Sequence, residues 1–152
     1  RYARRRGLST AFGRQIDSFI DVFAFLVTAA LLFHYAIAPN VGALTLVGFA
    51  VIAFGGLRLV RHNSEGFGED EGKSFYHGTT VVHTNLVVVV NYLAVALVGL
   101  WNGWLAAVTV LVAAPLMVSD YKAYKTRTSH LLGGATIALV TALVMLLEFG
   151  HL

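Results

Sequence analysis

Apolar residues of this chain are gathered into five long runs, which short polar segments separate. A helix of about 20 apolar residues crosses the hydrocarbon core of a bilayer, and the runs approach or exceed that length. Four consecutive valines at 87–90 would favour a strand in water, but a lone strand leaves its backbone unsatisfied in lipid, so a helix is predicted there too. We therefore expect five helices, over about residues 10–36, 41–62, 75–98, 103–119 and 130–149.

Positive charge is confined to one side of this alternating arrangement. All eleven lysines and arginines fall before or at the start of the first helix or around the loops on that side, whereas the opposite loops, 38–42 and 99–102, contain none. Basic loops mark the cytoplasmic side of a membrane protein. The pattern predicts an all-α fold, a multi-pass membrane bundle of about five transmembrane helices that forms a single domain over residues 1–152.

Composition supports a membrane environment and excludes two kinds of chemistry. The chain is 57% hydrophobic and 12% charged, whereas soluble domains carry about 25% charged residues. There is no cysteine, which excludes disulfides and thiol catalysis. The net charge of +3 is explained by the cytoplasmic loops, so no nucleic-acid partner is expected.

The segment 63–74 is acidic and contains Gly66, Gly68 and Gly72. Glycine at this density disfavours a continuous helix. We expect a solvated connector on the cytoplasmic side, with a mobile lid near the site as the alternative.

Two acids near the start of the first apolar run carry the chemistry. Gly13, Asp17 and Asp21 are spaced by four residues, so a helix places them along one stripe about 6 Å apart per step. A carboxylate in a bilayer-length helix marks a functional site, and carboxylates suit Mg²⁺ or Mn²⁺ completed by water and phosphate. Four arginines, which suit phosphate oxygens, stand near the same end: Arg4, Arg14, Arg58 and Arg61. The sequence predicts phosphoryl chemistry at the cytoplasmic surface of a membrane.

The spacing of these residues resembles a family signature. Ala-Arg ending at Arg4, then Gly13, Asp17 and Asp21, looks like the second half of the CDP-alcohol phosphatidyltransferase signature, D-x-x-D-G-x-x-A-R-x8-G-x3-D-x3-D. The first half, D-x-x-D-G, would lie immediately before Arg1 and is absent from the sequence. The resemblance implies an N-terminally truncated enzyme that is inactive alone.

Two further segments resemble the phosphatidylserine synthase branch of that family, or its archaeal archaetidylserine counterpart. The residues at 56–63 read G-L-R-L-V-R-H-N, similar to the R-L-A-R-F-N element of the branch, and residues 116–119 read L-M-V-S, as in that branch. The implied activity is transfer of a phosphatidyl or archaetidyl group from a CDP-linked lipid to the hydroxyl of L-serine, with release of CMP.

The resemblance also implies roles for individual residues. Asp17 would be a ligand of the Mg²⁺ or Mn²⁺ ion, and Asp21 would be both a ligand and the general base. Arg4 would lie near the CDP diphosphate, and Gly13 would leave room for the nucleotide. The branch motif suggests contacts to the acceptor's carboxylate or to the lipid phosphate from Arg58, Arg61 and Asn63. The family also suggests a homodimer.

Other interpretations remain open from the sequence. Asp17 and Asp21 could be structural, paired with nearby arginines at a helix N-terminus, and Arg58 and Arg61 could anchor a helix end by snorkelling to headgroups. The acceptor could be another alcohol, such as glycerol phosphate or inositol phosphate. A small cation-coupled transporter is the rival of a different class, and it predicts acids near the bilayer midplane.

Overall fold

Five helices and a small sheet make up the part of the chain that the computed structural model describes, residues 10–39, 41–70, 72–124 and 127–150. The first helix, α1, alternates between α-helical and π-helical segments: Ala11–Asp21, Val22–Val27, Thr28–Leu32 and Phe33–Ile37. The other helices are α2 (Thr45–Glu65), α3 (Val81–Leu97), α4 (Gly103–Leu116) and α5 (Arg127–Phe149). The strands are β1 (Gly68–Asp70), β2 (Lys73–His77) and β3 (Lys122–Tyr124).

Helix α1 begins at a side-chain cap and loses regular geometry after its first three turns. Thr10 accepts a hydrogen bond from the Gly13 amide at 3.0 Å, which satisfies one of the free amides of the first turn. The π-helical turns change the register of the carbonyls, and the Asn85 side chain of α3 donates to the Phe25 carbonyl at 2.9 Å. A polar side chain from a neighbouring helix therefore supports the irregular part of α1.

The core lies among the first four helices. Leu26 and Phe33 of α1 pack with Val51 of α2, Val88 of α3 and Val110 of α4, and all five are almost fully buried. Apolar side chains that cover the outside of these helices are exposed, as expected where lipid is the solvent.

Small residues let α1 and α2 approach closely. A Cβ at Gly48 would lie 3.1 Å from the Ala30 Cβ, and a Cβ at Gly55 would overlap the side chain of Leu26. Glycine and alanine are common at such helix contacts in membranes, where packing rather than the hydrophobic effect holds helices together. Gly48 and Gly55 therefore allow α2 to pack closely against α1.

The expectation of an all-α fold misses the sheet. Strand β2 occupies Lys73–His77, where the third helix was expected to begin, and α3 starts only at Val81. β1 pairs antiparallel with β2, and β2 pairs antiparallel with β3. The segment 63–74 is therefore not simply a connector, because it finishes α2 and supplies β1, the turn and the start of β2. β3 lies in the loop after α4, and local sequence patterns do not predict that this loop pairs with β2.

The helical spans agree with the apolar runs except at their ends. α2 continues to Glu65 instead of 62, α4 ends at Leu116 instead of 119, and α5 starts at Arg127 instead of 130. Two helices are long and apolar enough to cross a membrane, Gln15–Ile37 and Gly42–Glu65, each with a mean hydropathy of 2.0. Among the described residues, three further apolar helical stretches are shorter, Val81–Leu97, Gly103–Leu116 and Ala135–Phe149, so five transmembrane spans stay a prediction.

The turn at Gly78 joins the sheet to the end of α4. Its φ is +66°, in the left-handed region that glycine tolerates, and its amide donates to the Tyr121 carbonyl at 2.8 Å. A Cβ at this position would overlap the Met117 carbonyl oxygen. The next amide, Thr79, donates to the Leu116 carbonyl at 3.0 Å. Both the conformation and the space require glycine here.

We expect Gly78→Ala to lower the free energy of unfolding by about 3 kcal/mol or more, because it adds a backbone overlap to conformational strain. Gly72→Ala is the matched control: its φ is +75°, but a Cβ there meets nothing within 4 Å. Strain alone predicts a cost of about 1–2 kcal/mol for the control. Reversible denaturation in detergent micelles measures both values, and equal losses would contradict the packing explanation.

Candidate active site

A large cavity lies at the end of the bundle where the sheet is located. It has a volume of about 1330 Å³, larger than the roughly 300–1,000 Å³ of most ligand pockets. Its wall is formed by the first part of α1, the last turns of α2, the start of α3 and the sheet, with a contribution from α5. Four of the residues singled out from the sequence line it: Asp17, Asp21, Arg58 and Asn63.

The two acids face the same space. Asp17 is exposed, and Asp21, one helical turn later, is partly buried. The charge on Asp21 interacts with those of Arg58, Asp17 and His62. One acid therefore lies beside a fixed cation while the other is more accessible to solvent.

The donor set fits part of a divalent-cation site. Carboxylate oxygens are the ligands that Mg²⁺ and Mn²⁺ prefer, and Asp17 and Asp21 are one turn apart on one cavity wall. Within residues 10–39, 41–70, 72–124 and 127–150, no group of three or more His, Asp or Glu side chains surrounds a common point. Two carboxylates suit a hard cation whose remaining ligands come from water or substrate phosphate.

Arg58 is a buried cation in the cavity wall. It is 6% exposed, its Nε donates to the Thr79 carbonyl at 3.2 Å, and its guanidinium lies 5.9 Å from the centroid of the Tyr76 ring. The carbonyl, the ring face and the charge of Asp21 offset part of the lost hydration. The arrangement holds a positive charge beside the two acids.

Arg61 does not line this cavity. Its Nε donates to Glu65 at 2.9 Å, its Nη2 to Asp120 at 2.7 Å, and its Nη1 to the Val118 carbonyl at 3.1 Å. The hydrogen bond and charge from Arg61 hold the pKa of Asp120 below its usual value. Arg61 thus joins the end of α2 to the loop after α4, a role that spacing alone does not reveal.

Asn63 lines the cavity, and its amide contacts α1. Its Nδ2 donates to the Ser18 hydroxyl at 2.9 Å, and that hydroxyl lies 3.2 Å from the Asn63 Oδ1, to which it donates. Ser18 also lines the cavity, directly after Asp17 in the sequence. Ser18 was not expected at the site, because a lone serine in an apolar helix carries no distinctive signal.

Two of the expected site residues are not placed in the cavity wall. Gly13 is not among the lining residues, and its amide is engaged by Thr10. A Cβ at Gly13 would lie 3.2 Å from the Thr10 hydroxyl, so its small size accommodates the helix cap. Arg4 lies outside the described residues.

The start of α3 adds a polar feature that the expected helix boundary concealed. Thr80 precedes the helix but makes no side-chain cap, and its hydroxyl instead lies 2.6 Å from the His83 Nδ1. The Thr79 Oγ1 is buried and has no hydrogen-bond partner among the described residues. Both threonines line the cavity, together with Val81 and Val82. Amides of a first helical turn attract anions. The T-T pair before the apolar run was the available sequence signal for this boundary.

The sheet closes the cavity on the side away from the core. Tyr76 of β2 and Tyr124 of β3 line it, and Asp70 of β1 accepts hydrogen bonds from Lys122 at 2.6 Å and from the Tyr124 hydroxyl at 3.1 Å. These two donors hold the pKa of Asp70 below its usual value. The three strands are therefore joined by side chains as well as by their backbones.

Comparison with known protein families gives a match over most of the chain. Residues 1–115, about three quarters of the chain, match the CDP-alcohol phosphatidyltransferase family. No curated protein matches the chain. Members of the family transfer a phosphatidyl group from a CDP-linked alcohol to an alcohol acceptor in phospholipid biosynthesis, are membrane-embedded, and generally use divalent cations. The chain belongs to the CDP-alcohol phosphatidyltransferase family.

Proposed function

We propose that this protein transfers a phosphatidyl or archaetidyl group from a CDP-linked lipid to the hydroxyl of L-serine and releases CMP. The observation that carries the proposal is the shared cavity, which brings Asp17, Asp21 and Arg58 together at one end of an apolar bundle. An acid pair suits a cation bound to a pyrophosphate, and the buried arginine suits an anionic group of a substrate.

Asp21 acts as the general base. The acceptor hydroxyl oxygen forms a bond to the β-phosphorus of the CDP-lipid, its proton passes to the Asp21 carboxylate, and the bond between that phosphorus and the bridging oxygen breaks so that CMP leaves. A positioned base contributes typically about 10²–10⁴-fold to such a step. Asp17, one turn earlier and more exposed, remains a ligand.

Asp17 and Asp21 are the residues of the described chain that would hold the divalent cation. When bound, the cation neutralises charge on the pyrophosphate and on the departing CMP. The resemblance to the family signature assigns the diphosphate contact to Arg4 and the space for the nucleotide to Gly13.

Arg58 and the start of α3 bind the anionic group of the acceptor or the lipid phosphate. Arg58 places a positive charge in the cavity wall. Beside Arg58, the first turn of α3 contributes backbone amides, and Thr79, just before that turn, contributes a hydroxyl without a partner among the described residues. We assign Arg61 to structure instead, because all three of its guanidinium nitrogens are engaged within the protein. Asn63 lines the cavity, but its side-chain amide is hydrogen-bonded to Ser18 of α1.

The proposed setting is a multi-pass protein whose cavity faces the cytoplasm. The lysines of the sheet, Lys73 and Lys122, lie at the same end as Arg61 and the cavity, as the positive-inside rule expects for the cytoplasmic side. We also propose a homodimer, on the family resemblance.

The rival functions differ in the acceptor or in the position of the acids. Glycerol phosphate or inositol phosphate would use the same chemistry, since Arg58 suits a phosphate as well as a carboxylate. A cation-coupled transporter would hold its acids near the bilayer midplane. Here Asp17 and Asp21 fall in the first three turns of α1, which favours chemistry at the surface.

We predict that Asp21→Asn lowers kcat at least about 10³-fold without loss of folding, because the amide cannot accept the proton. Asp17→Asn is the matched change, because it removes a cation ligand one turn away and leaves the base in place. Excess Mn²⁺ should restore part of the activity of Asp17→Asn but none of the activity of Asp21→Asn. CMP release by the intact protein, titrated with Mn²⁺, measures both. Turnover retained by Asp21→Asn would remove Asp21 from the mechanism.

The two arginines should separate by phenotype. We expect Arg58→Gln to raise the KM for the acceptor about tenfold or more while Arg61→Gln leaves that KM unchanged and lowers the melting temperature. The reason is that the first arginine lines the cavity and the second joins α2 to the loop after α4. Steady-state kinetics with purified protein, together with thermal unfolding, tests the distinction. An acceptor KM raised equally by both changes would contradict it.

The acceptor is identified by offering L-serine, glycerol 3-phosphate and inositol phosphate with one CDP-lipid. We expect lipid product and CMP with serine, and at least about 10²-fold lower kcat/KM with the phosphorylated alcohols, because a site built around one polar acceptor rejects poorly matched ones. Products are resolved by mass spectrometry. Preference for a phosphorylated alcohol would keep the transferase and discard the serine assignment.

A further inference from the structure

The hydrogen-bonded pair of Ser18 and Asn63 lies where the acid-bearing part of α1 meets the end of α2 within the cavity wall. Ser18 follows Asp17 directly and precedes Asp21 by three residues. Its hydroxyl is within hydrogen-bond distance of both amide atoms of Asn63, at 2.9 Å and 3.2 Å. All four residues line the cavity.

The acid-bearing part of α1 is poorly anchored by packing. None of the described side chains of Ala11–Asp21 is buried, and Phe12 and Phe19 are 70% and 64% exposed. The first buried side chain of α1 is Leu26, beyond the acids. Apolar packing therefore does not determine which way the acids face.

The helix geometry also separates the acids from the core. A π-helical segment begins at Val22, immediately after Asp21. Each π turn adds a residue to the helical repeat, so the acid-bearing face is rotated from the face that a regular α-helix would continue from Leu26. A contact within Ala11–Asp21 acts directly on the rotation of that face.

Asn63 stands on a fixed part of α2. Before it, Arg58 is bound to the Thr79 carbonyl, and Arg61 is bound to Asp120 in the loop after α4. After it, Glu65 accepts from Arg61. The last turns of α2, which carry Asn63, are thus tied to the segment before α3 and to the loop after α4, whereas the described side chains of Ala11–Asp21 are not buried.

We infer that the Ser18–Asn63 pair is a positioning device that sets the rotation of α1 so that Asp17 and Asp21 present their carboxylates jointly to a divalent cation. The inference rests on the proposed function, since it assigns the pair a role toward the cation of that reaction. Neither residue touches the reacting atoms. Residues that orient metal ligands typically change metal affinity or activity about 10–100-fold when altered.

The test measures Mn²⁺ binding to the intact protein in nanodiscs, without substrate, from the electron paramagnetic resonance signal of free Mn²⁺. Ser18→Ala and Asn63→Ala should each raise the Kd about tenfold or more. The double variant should bind no more weakly than the weaker single variant, because both changes remove one contact. Ser18→Thr keeps the hydroxyl and should bind like the unaltered protein.

Asn85→Ala is the matched control. Asn85 also joins two helices through its amide, which donates to the Phe25 carbonyl at 2.9 Å, but it does not line the cavity. It should lower the melting temperature and leave the Mn²⁺ affinity unchanged. A loss of affinity equal to that of Ser18→Ala would reduce the pair to general stability and overturn the inference.

Turnover provides the second readout. Ser18→Ala should raise the Mn²⁺ concentration needed for half-maximal rate, and saturating Mn²⁺ should restore most of kcat with the acceptor KM unchanged. If Asn63→Ala alone raises the acceptor KM and leaves the Mn²⁺ affinity intact, Asn63 is an acceptor contact and the inference fails.

The acids distinguish this failure from failure of the proposed function. Asp17→Asn and Asp21→Asn should each weaken Mn²⁺ binding at least as much as Ser18→Ala does, because each removes a ligand. If both weaken it and Ser18→Ala and Asn63→Ala bind normally, only the positioning role is lost. If Mn²⁺ binding does not depend on the acids, the cation site of the proposed function fails and the positioning role fails with it.

Discussion

The buried charge of Arg58 is the constraint on which the cavity depends. A guanidinium that is 6% exposed must be compensated by the protein, and removal of a partner from a buried charge typically costs about 3–5 kcal/mol. The Thr79 carbonyl, the Tyr76 ring and the charge of Asp21 provide part of this compensation from three different elements. The partners of this one side chain therefore come from the start of α3, from the sheet and from α1. A cavity with acids on one wall and a cation on the next is the result.

The helices were predictable because their signal is local. Each apolar run carries its own evidence for a span, and the prediction failed only at the ends and at the sheet. The start of α3 shows the reason: Phe75 is as apolar as the helix that follows, but it pairs with Tyr124 across the sheet. Tyr124 is distant from Phe75 in the sequence, and no local sequence pattern predicts that the two pair. Positive-φ glycines at Gly72 and Gly78 bound β2, but glycine is equally frequent in unstructured loops.

Spacing on a single helix predicts which side chains share a face. Asp17 and Asp21 are one turn apart and both line the cavity, whereas the direction in which that face of α1 turns depends on contacts with other helices. The contacts that Arg58 and Arg61 make could not be predicted from spacing. Both stand near the end of α2, but Arg61 turns to Asp120 and Glu65, whose positions depend on the loop after α4 and on the last turn of the helix. The residues at 116–119, which suggested a serine-specific branch, have structural contacts: Met117 is buried and the Leu116 carbonyl accepts from Thr79.

The cavity wall differs in polarity from one side to the other, and this difference suits an enzyme that joins a lipid to a water-soluble alcohol. α1 and α2 contribute Asp17, Asp21 and Arg58, whereas α3 and α5 contribute Leu86 and Ile137. A CDP-lipid has a charged pyrophosphate attached to apolar chains, so its two parts need adjacent surfaces of opposite character. The polar part of the wall adjoins the sheet and the start of α3, and the apolar part lies further along helices whose outer faces are exposed. A site deeper in the bundle would exclude the acceptor, and a site outside it would leave the lipid chains in water. The position of the acids in the first turns of α1 satisfies both requirements.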